Sequence, residues 1–295
     1  MKRNSFIGSS AIASITEESG SLVDDDASQR LAHQIKKEST QIERGIYKHL
    51  KIYKPATQPA SDSRIQVFGE PNEKETKTLM VLGAPDRGKD EFINSLANHL
   101  WDVKVPDRFR FKLVLSNKDD ASLFSVYKLN NTKLSYNITI VDVPELSDEE
   151  PSKVLSSLVK NCKELKLVKF HALCHVVRAL DKRLSNGEKV MFLKVPKLFT
   201  KSPDVNIVAN FSNDAEPPIK NALITENISH HNIFKLNTIF IENGTSNFDE
   251  FLDYLNSNNS PRDMESRSRH LFGTIGRSVR DAGRRLTRSA SRNRK

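Results

Sequence analysis

The stretch "KTLMVLGAPDRGKDEFINSLANHLW", Lys77–Trp101, decides how this chain is read. A short apolar run ends at Gly83, a loop spaced G-x-x-x-x-G-K follows to Lys89, and then Phe92, Leu96 and Leu100 recur at helical spacing. Strand, glycine-bearing turn and helix in direct succession form the layout of a phosphate loop. Such a loop wraps backbone N–H groups around a phosphate, and the helix that follows aims its positive end at the same place. Gly83 and Gly88 permit a close backbone approach that a side chain would block. Lys89 is positioned to reach the outer phosphates as a point charge, with Arg87 two residues before it. One position departs from the pattern. Where a Ser or Thr hydroxyl ordinarily meets Mg2+, this chain has Asp90. A carboxylate can ligate Mg2+, yet it stands beside phosphates of its own sign, and Asp86 adds a second negative charge inside the loop.

Working outward, "FRFKLVL", "ASLFSVYKLN", "KLSYNITIVDVP", "FHALCHVVRAL", "DVNIVANF" and "NIFKLNTIFIEN" read as strands, the second and third of them joined at "NNTK". "SNGEKVMFLKVPKLF" reads as a helix capped by Ser185 and disturbed at its end by Pro196, and "NFDEFLDYLNSN" as a final helix. Strands alternating with helices predict an α/β fold with a doubly wound, mostly parallel sheet. The expected domain spans 76–258. Before it, residues 1–75 read as a disordered or partly helical leader, with weak helical spacing at Leu31, Ile35, Ile42, Ile46 and Leu50 and the breaker "KPATQPASDS". After it, 259–295 reads as an Arg-rich amphipathic or disordered tail.

"ITIVDVPEL" places Asp142 at the carboxyl end of a strand, the edge where ligands sit in sheets of this kind. Asp142 is a second candidate for Mg2+, together with Asp90. His171 and His175 flank Cys174 in an apolar strand, and period two turns both to one face. No further ligands accompany them, which favours a place in the core or at its rim over a metal pair. Nothing in the chain has the makings of a Ser-His-Asp or Cys-His arrangement.

The formal net charge of +9 is unevenly spread. From Arg262 to Lys295 the chain has ten Arg and one Lys against Asp263, Glu265 and Asp281, so almost the whole excess belongs to the tail. There, Leu271, Phe272, Ile275, Val279 and Leu286 recur every three to four residues between arginines, the pattern of a basic amphipathic helix over about 268–287. Gly273, Gly276 and Gly283 weaken it in free solution. An anionic membrane surface would attract it. Sequence-specific nucleic-acid binding is not expected, because Phe272 alone is available to stack. Thr287, Ser289 and Ser291 follow arginines, as a basophilic kinase requires. No apolar run approaches the ~20 residues of a transmembrane helix. "MKRNSFIGSSAIASI" lacks the continuous apolar core of a signal peptide. Two cysteines, Cys162 and Cys174, make no disulfide framework, and a reducing, cytoplasmic setting is expected.

Four blocks, "KTLMVLGAPDRGKDEFINSLANHLWDVKVPDRFRFKLV", "YNITIVDVPEL", "FHALCHVVRALDKRLSNGEKVMFLKVPKLF" and "VNIVANFSNDAEPPI", resemble a group of metazoan P-loop GTPase-like proteins. Their domain is similar to the AIG1-type (immunity-associated) and septin-type guanine-nucleotide-binding domains, and the resemblance covers about residues 76–242. It implies a Ras-like doubly wound sheet that binds GTP or GDP with Mg2+ and self-associates, or takes a protein partner, through the nucleotide face. Gly83, Gly88 and Lys89 match the family's phosphate loop, and Asp142 and Pro144 match its acidic strand end. Glu145 replaces the glycine that lets a switch move, and only Ser122 or Ser125 offers a switch hydroxyl. The segment that reads guanine ends in Asp in this family. Here that step falls on Asn213, which cannot accept both guanine N–H groups as a carboxylate does, with Asp214 one residue further on. Metal, switch and base positions all depart together. The resulting expectation is a degenerate GTPase-like (pseudo-GTPase) interaction module with weak or absent guanine-nucleotide binding. Two alternatives stand beside it: an active GTP-binding protein that hydrolyses GTP with atypical Mg2+ ligands, and a membrane or nucleic-acid adaptor that works through its tail.

Overall fold

The computed structural model describes residues 29–44, 50–115, 124–145, 151–201, 204–210, 216–236, 248–258 and 260–264. The central strand is β4 (Thr76–Gly83), whose side chains alternate between two cores: Leu79 and Val81 point to one face, Met80 and Leu82 to the other. On one side β4 pairs in parallel with β7 (Asn137–Asp142), on the other with β9 (Ala172–Arg178). β10 (Val205–Asn210) and β11 (Asn232–Leu236) extend the sheet beyond β9, again in parallel. Beyond β7 the direction reverses, because β6 (Ser125–Leu129) pairs antiparallel with β7 and β3 (Ile65–Phe68) pairs in parallel with β6. The seven strands run in the order β11-β10-β9-β4-β7-β6-β3. This is the expected α/β architecture, a mostly parallel sheet with helices on both faces.

Helix α2 (Lys89–Leu100) lies on the face of Leu79 and Val81, burying Phe92, Ile93 and Leu96. Helix α6 (Asp249–Ser257), the last among the described residues, shares that face through Phe251, Leu252 and Leu255. The opposite face is covered by α3 (Pro151–Glu164), α4 (Asn186–Lys194) and α5 (Ile219–Thr225), which bury Leu155, Leu158, Met191, Phe192, Ala222 and Leu223. Cys162 belongs to one core and Cys174 to the other, so the sheet itself separates them. Burial pushes both thiols up to about 12. Ser185 caps α4 as its sequence predicts. It accepts from the Glu188 N–H at 3.2 Å, while the Glu188 carboxylate accepts from the Ser185 N–H at 2.7 Å, and Pro196 opens a short 3-10 turn.

The structure differs from the sequence reading before residue 76. The stretch expected to be a disordered or partly helical leader contributes β3 to the main sheet. It also supplies α1 (Leu31–Lys37), β1 (Thr40–Arg44) and β2 (Lys51–Lys54). β1 pairs antiparallel with β2, and β2 pairs in parallel with β5 (Phe109–Phe111), which makes a separate three-stranded sheet. Arg30 and His33 fix this unit to Asp107, with Arg30 Nη2 2.7 Å from its carboxylate, and Phe109 packs edge-on against His33. β3 is held by pairing with a strand 61 residues away in register, a non-local contact that a four-residue apolar run does not announce. The expected tail also begins inside the fold, since Arg262–Asp263 forms β12, antiparallel to β8 (Lys169–Phe170). The amphipathic pattern over 268–287 and the phosphorylatable Thr287, Ser289 and Ser291 lie outside the described residues.

Lys77 is buried in β4. Its ammonium donates to the carbonyls of Leu255 and Asn256 at the carboxyl end of α6 and lies 4.7 Å from the Tyr136 ring centroid. A cation at a helix carboxyl terminus complements the helix dipole, and it satisfies carbonyls that have no intrahelical partner.

Candidate functional site

The phosphate-loop residues come together at the carboxyl edge of the sheet, where β4 stands between β7 and β9 and the connections leave in opposite directions. The loop turns through two left-handed residues, Asp86 at φ 59° and Gly88 at φ 81°. Gly88 is the residue from which α2 starts, so its conformation places Lys89. At Gly83 a Cβ would come within 3.4 Å of the Lys89 Cβ and 3.5 Å of the Val176 carbonyl oxygen, so strand end and helix start are already in close approach.

Lys89 does not point into an open cradle. Its ammonium donates to the carboxylate of Asp142, and both side chains are 7% exposed. Burial alone would lower the Lys89 pKa, but Asp142, then Asp90 and Glu145, outweigh it and hold the ammonium above its usual range. Burial raises the Asp142 carboxyl to about 6, while Lys89 draws it back toward ionisation. Asp90, the other expected Mg2+ ligand, lies 3.8 Å from the same ammonium. Both acids expected at Mg2+ therefore lie beside Lys89, Asp142 bonded to its ammonium and Asp90 further off. Ser125, one of the two candidate switch hydroxyls, lies opposite Asp142 in the β6–β7 ladder. Ser122 is outside the described residues.

Arg87 is also engaged. Its Nε donates to Glu188 at 3.0 Å and its Nη1 lies 3.3 Å from Asp181. Glu188 is fully buried, and it closes the α4 capping box as well as holding Arg87. Burial raises the Asp181 pKa, Arg87 lowers it and Glu188 raises it again. Glu145 is raised too, first by burial and then by Asp90, Asp86 and Asp142 against the opposing pull of Lys89. Among the described residues, six carboxylates (Asp86, Asp90, Asp142, Glu145, Asp181 and Glu188) thus share the site with three cations, Arg87, Lys89 and Arg178.

One participant was not anticipated. Asn210, the last residue of β10, is buried and donates its amide to the carbonyls of Gly88 at 3.0 Å and Arg87 at 3.3 Å. It braces the loop from the next strand but one, and a polar residue closing a strand gives no such signal in sequence. Asn210→Ala is expected to cost about 1–2 kcal/mol and to loosen the loop, seen as faster amide exchange at Arg87 and Gly88. Asn213 and Asp214, the candidates for reading a base, lie outside the described residues. His175 is fully buried and stacks on Phe192, with ring centroids 4.3 Å apart, and the His171 Nδ1 accepts from the Thr78 N–H at 2.9 Å. Both are core or rim positions.

A phosphate loop needs an uncommitted cation and a positive field. Here both loop cations are ion-paired and the remaining charge is acidic. No helix among the described residues is long and apolar enough to cross a membrane.

No protein-family model and no curated protein matches the chain. It has fold similarity to Era from Aquifex aeolicus bound to GDP.AlF4-, at 17% identity and a TM-score of 0.42, covering 62% of this chain and 57% of that one. It is also similar to Toc33 from Arabidopsis thaliana in complex with GDP and Mg2+, at 15% identity and 0.42, covering 65% and 88%. A third likeness is to a GTP-binding protein from Sulfolobus solfataricus in complex with GDP, at 12% identity and 0.36, covering 61% and 51%. The chain therefore spans little more than half of the Era chain it resembles.

Proposed function

We propose that this protein is a degenerate GTPase-like interaction module in which side chains of the fold occupy the role of the nucleotide. The observation that carries this reading is the buried Lys89–Asp142 pair, with Arg87 committed to Glu188 and Asp181. A triphosphate entering the loop must displace Asp142 from Lys89 and then lie beside Asp86, Asp90 and Glu145. Like charges at such distances cost more in a partly buried site than in water. Guanine-nucleotide binding is accordingly weak or absent. A second copy or a protein partner seated on this face meets an acidic rim, and it must present cationic groups there.

Titration with a fluorescent GTP analogue, with and without Mg2+, tests the proposal. The expected dissociation constant is on the order of 100 µM or weaker, with little Mg2+ dependence. Asp90→Ser together with Glu145→Gly removes two like charges and restores a hydroxyl, and should tighten binding by about tenfold or more. Low-micromolar, Mg2+-dependent binding by the unmodified protein, abolished in Lys89→Ala and accompanied by turnover, would overturn the reading in favour of an active GTP-binding protein.

A further inference from the structure

The end of the sheet opposite the phosphate loop carries a second charged surface. There three chain segments are joined. β12 pairs with β8, setting Asp263 opposite Lys169. The Met264 N–H donates to the Val168 carbonyl at 2.8 Å, and Met264 bridges to Phe199. The Thr200 N–H donates to the Asp263 carbonyl at 3.0 Å. These bonds gather residues 168–170, 199–200 and 262–264 into one seam, with Lys166, Lys197 and Lys201 within two residues of it along the chain. Lys166, Lys169, Lys197 and Lys201 are all exposed along it, with Val168, 45% exposed, among them. The opposing acids are few. Asp263 lies within the seam, and Glu164 at its margin is engaged by Arg64 at 2.9 Å. Beneath the surface Phe170 and Phe199 pack edge to face, both buried, which anchors the seam to the core.

The seam is also where the Arg-rich segment begins. Residues 265–295 leave from Met264, and they carry nine Arg and one Lys against Glu265 and Asp281. The folded surface and the segment rooted in it have the same sign.

We propose that this face is a docking surface for an anionic lipid bilayer. Exposed lysines close in the chain to a seam that carries an exposed aliphatic residue suit a headgroup layer, in which ammonium groups meet lipid phosphates and carboxylates while the apolar side chain enters the interface. A single-stranded nucleic acid would be served better by exposed rings to stack on bases, and Phe170 and Phe199 of the seam are buried. The apolar periodicity at Leu271, Phe272, Ile275 and Val279 favours the same lipid partner. Docking here leaves the phosphate-loop edge facing away from the membrane, and it does not depend on whether that loop binds a nucleotide.

The test is co-sedimentation of the full-length protein with phosphatidylcholine vesicles, with or without phosphatidylserine, and in competition with a duplex oligonucleotide. Each basic residue at an anionic surface contributes about fivefold to partitioning at low salt. Replacing Lys166, Lys169, Lys197 and Lys201 together by Ala, with the tail intact, should therefore lower partitioning to the anionic vesicles by about 100-fold or more. An unchanged thermal midpoint confirms that the exposed substitutions leave the fold intact, and raising the salt should weaken binding of the unmodified protein. Val168→Asp should reduce partitioning further. The proposal is overturned if the quadruple variant binds as the unmodified protein does, if neither vesicle is bound, or if the oligonucleotide binds more tightly and strips the protein from the vesicles.

Discussion

Asp142→Ala is expected to lower the unfolding free energy by about 3–5 kcal/mol, because it leaves the Lys89 ammonium buried without its partner. Both side chains are 7% exposed, and Asp90 is 3.8 Å away on a side chain that is itself 31% exposed. Asp90 cannot replace a direct bond without moving inward. Lys89→Ala should be costly for the complementary reason, since Asp142 then remains buried among Asp90 and Glu145. Removing both charges in Lys89→Met, Asp142→Leu should recover most of the loss, as apolar replacement of a buried pair generally does. Chemical denaturation of the two single variants and the double variant forms a closed cycle. A coupling energy near zero would show that the two residues do not hold one another, and it would remove the observation on which the proposed function rests. The same cycle distinguishes stability from ligand affinity, because it is measured without nucleotide.

His175→Leu is expected to stabilise the fold, and most strongly in acid. His175 is fully buried, and neither ring nitrogen has a hydrogen-bond partner among the described residues. At neutral pH the gain should be about 1–2 kcal/mol, the cost of an unsatisfied polar group. Burial also pushes the imidazole pKa from its usual 6.5 down to about 3. Between those values the unfolded chain takes up a proton that the folded chain refuses, so stability falls as pH is lowered from 6.5 toward 3. The full penalty is on the order of 4–5 kcal/mol. The variant should show a flatter acid limb in thermal midpoint against pH. If the two limbs are parallel, His175 does not carry the acid sensitivity.

Much of this structure was legible in the sequence, and for local reasons. The β4–loop–α2 unit announces itself because its apolar run, glycines and helical spacing are contiguous. Ser185 was legible as a cap because Glu188 stands three residues on. Helix α3 had no place in the sequence reading, although Val154, Leu155, Leu158, Val159 and Cys162 fall on one helical face. β1, β2 and β3 were missed for a different reason. Each is short, β2 and β3 pair with strands far along the chain and β1 pairs only with β2, so no local period marks them. At the site, the residue types were legible but their partners were not. Arg87 and Glu188 are 101 positions apart, and Lys89 and Asp142 are 53. Sequence placed each of the last two near a ligand, and the fold directs them to each other.

The Lys77 hook has a consequence for how the chain is made. The carbonyls that satisfy this ammonium belong to residues 178 and 179 positions further along, in α6. During synthesis the central strand must emerge, and its neighbours must assemble, long before those acceptors leave the ribosome. Until then this ammonium, near Glu75 and the Tyr136 ring, must draw on water in place of the two helix carbonyls. The nascent domain therefore has reason to stay open on the α6 side, and that face closes only once residues 249–257 have emerged.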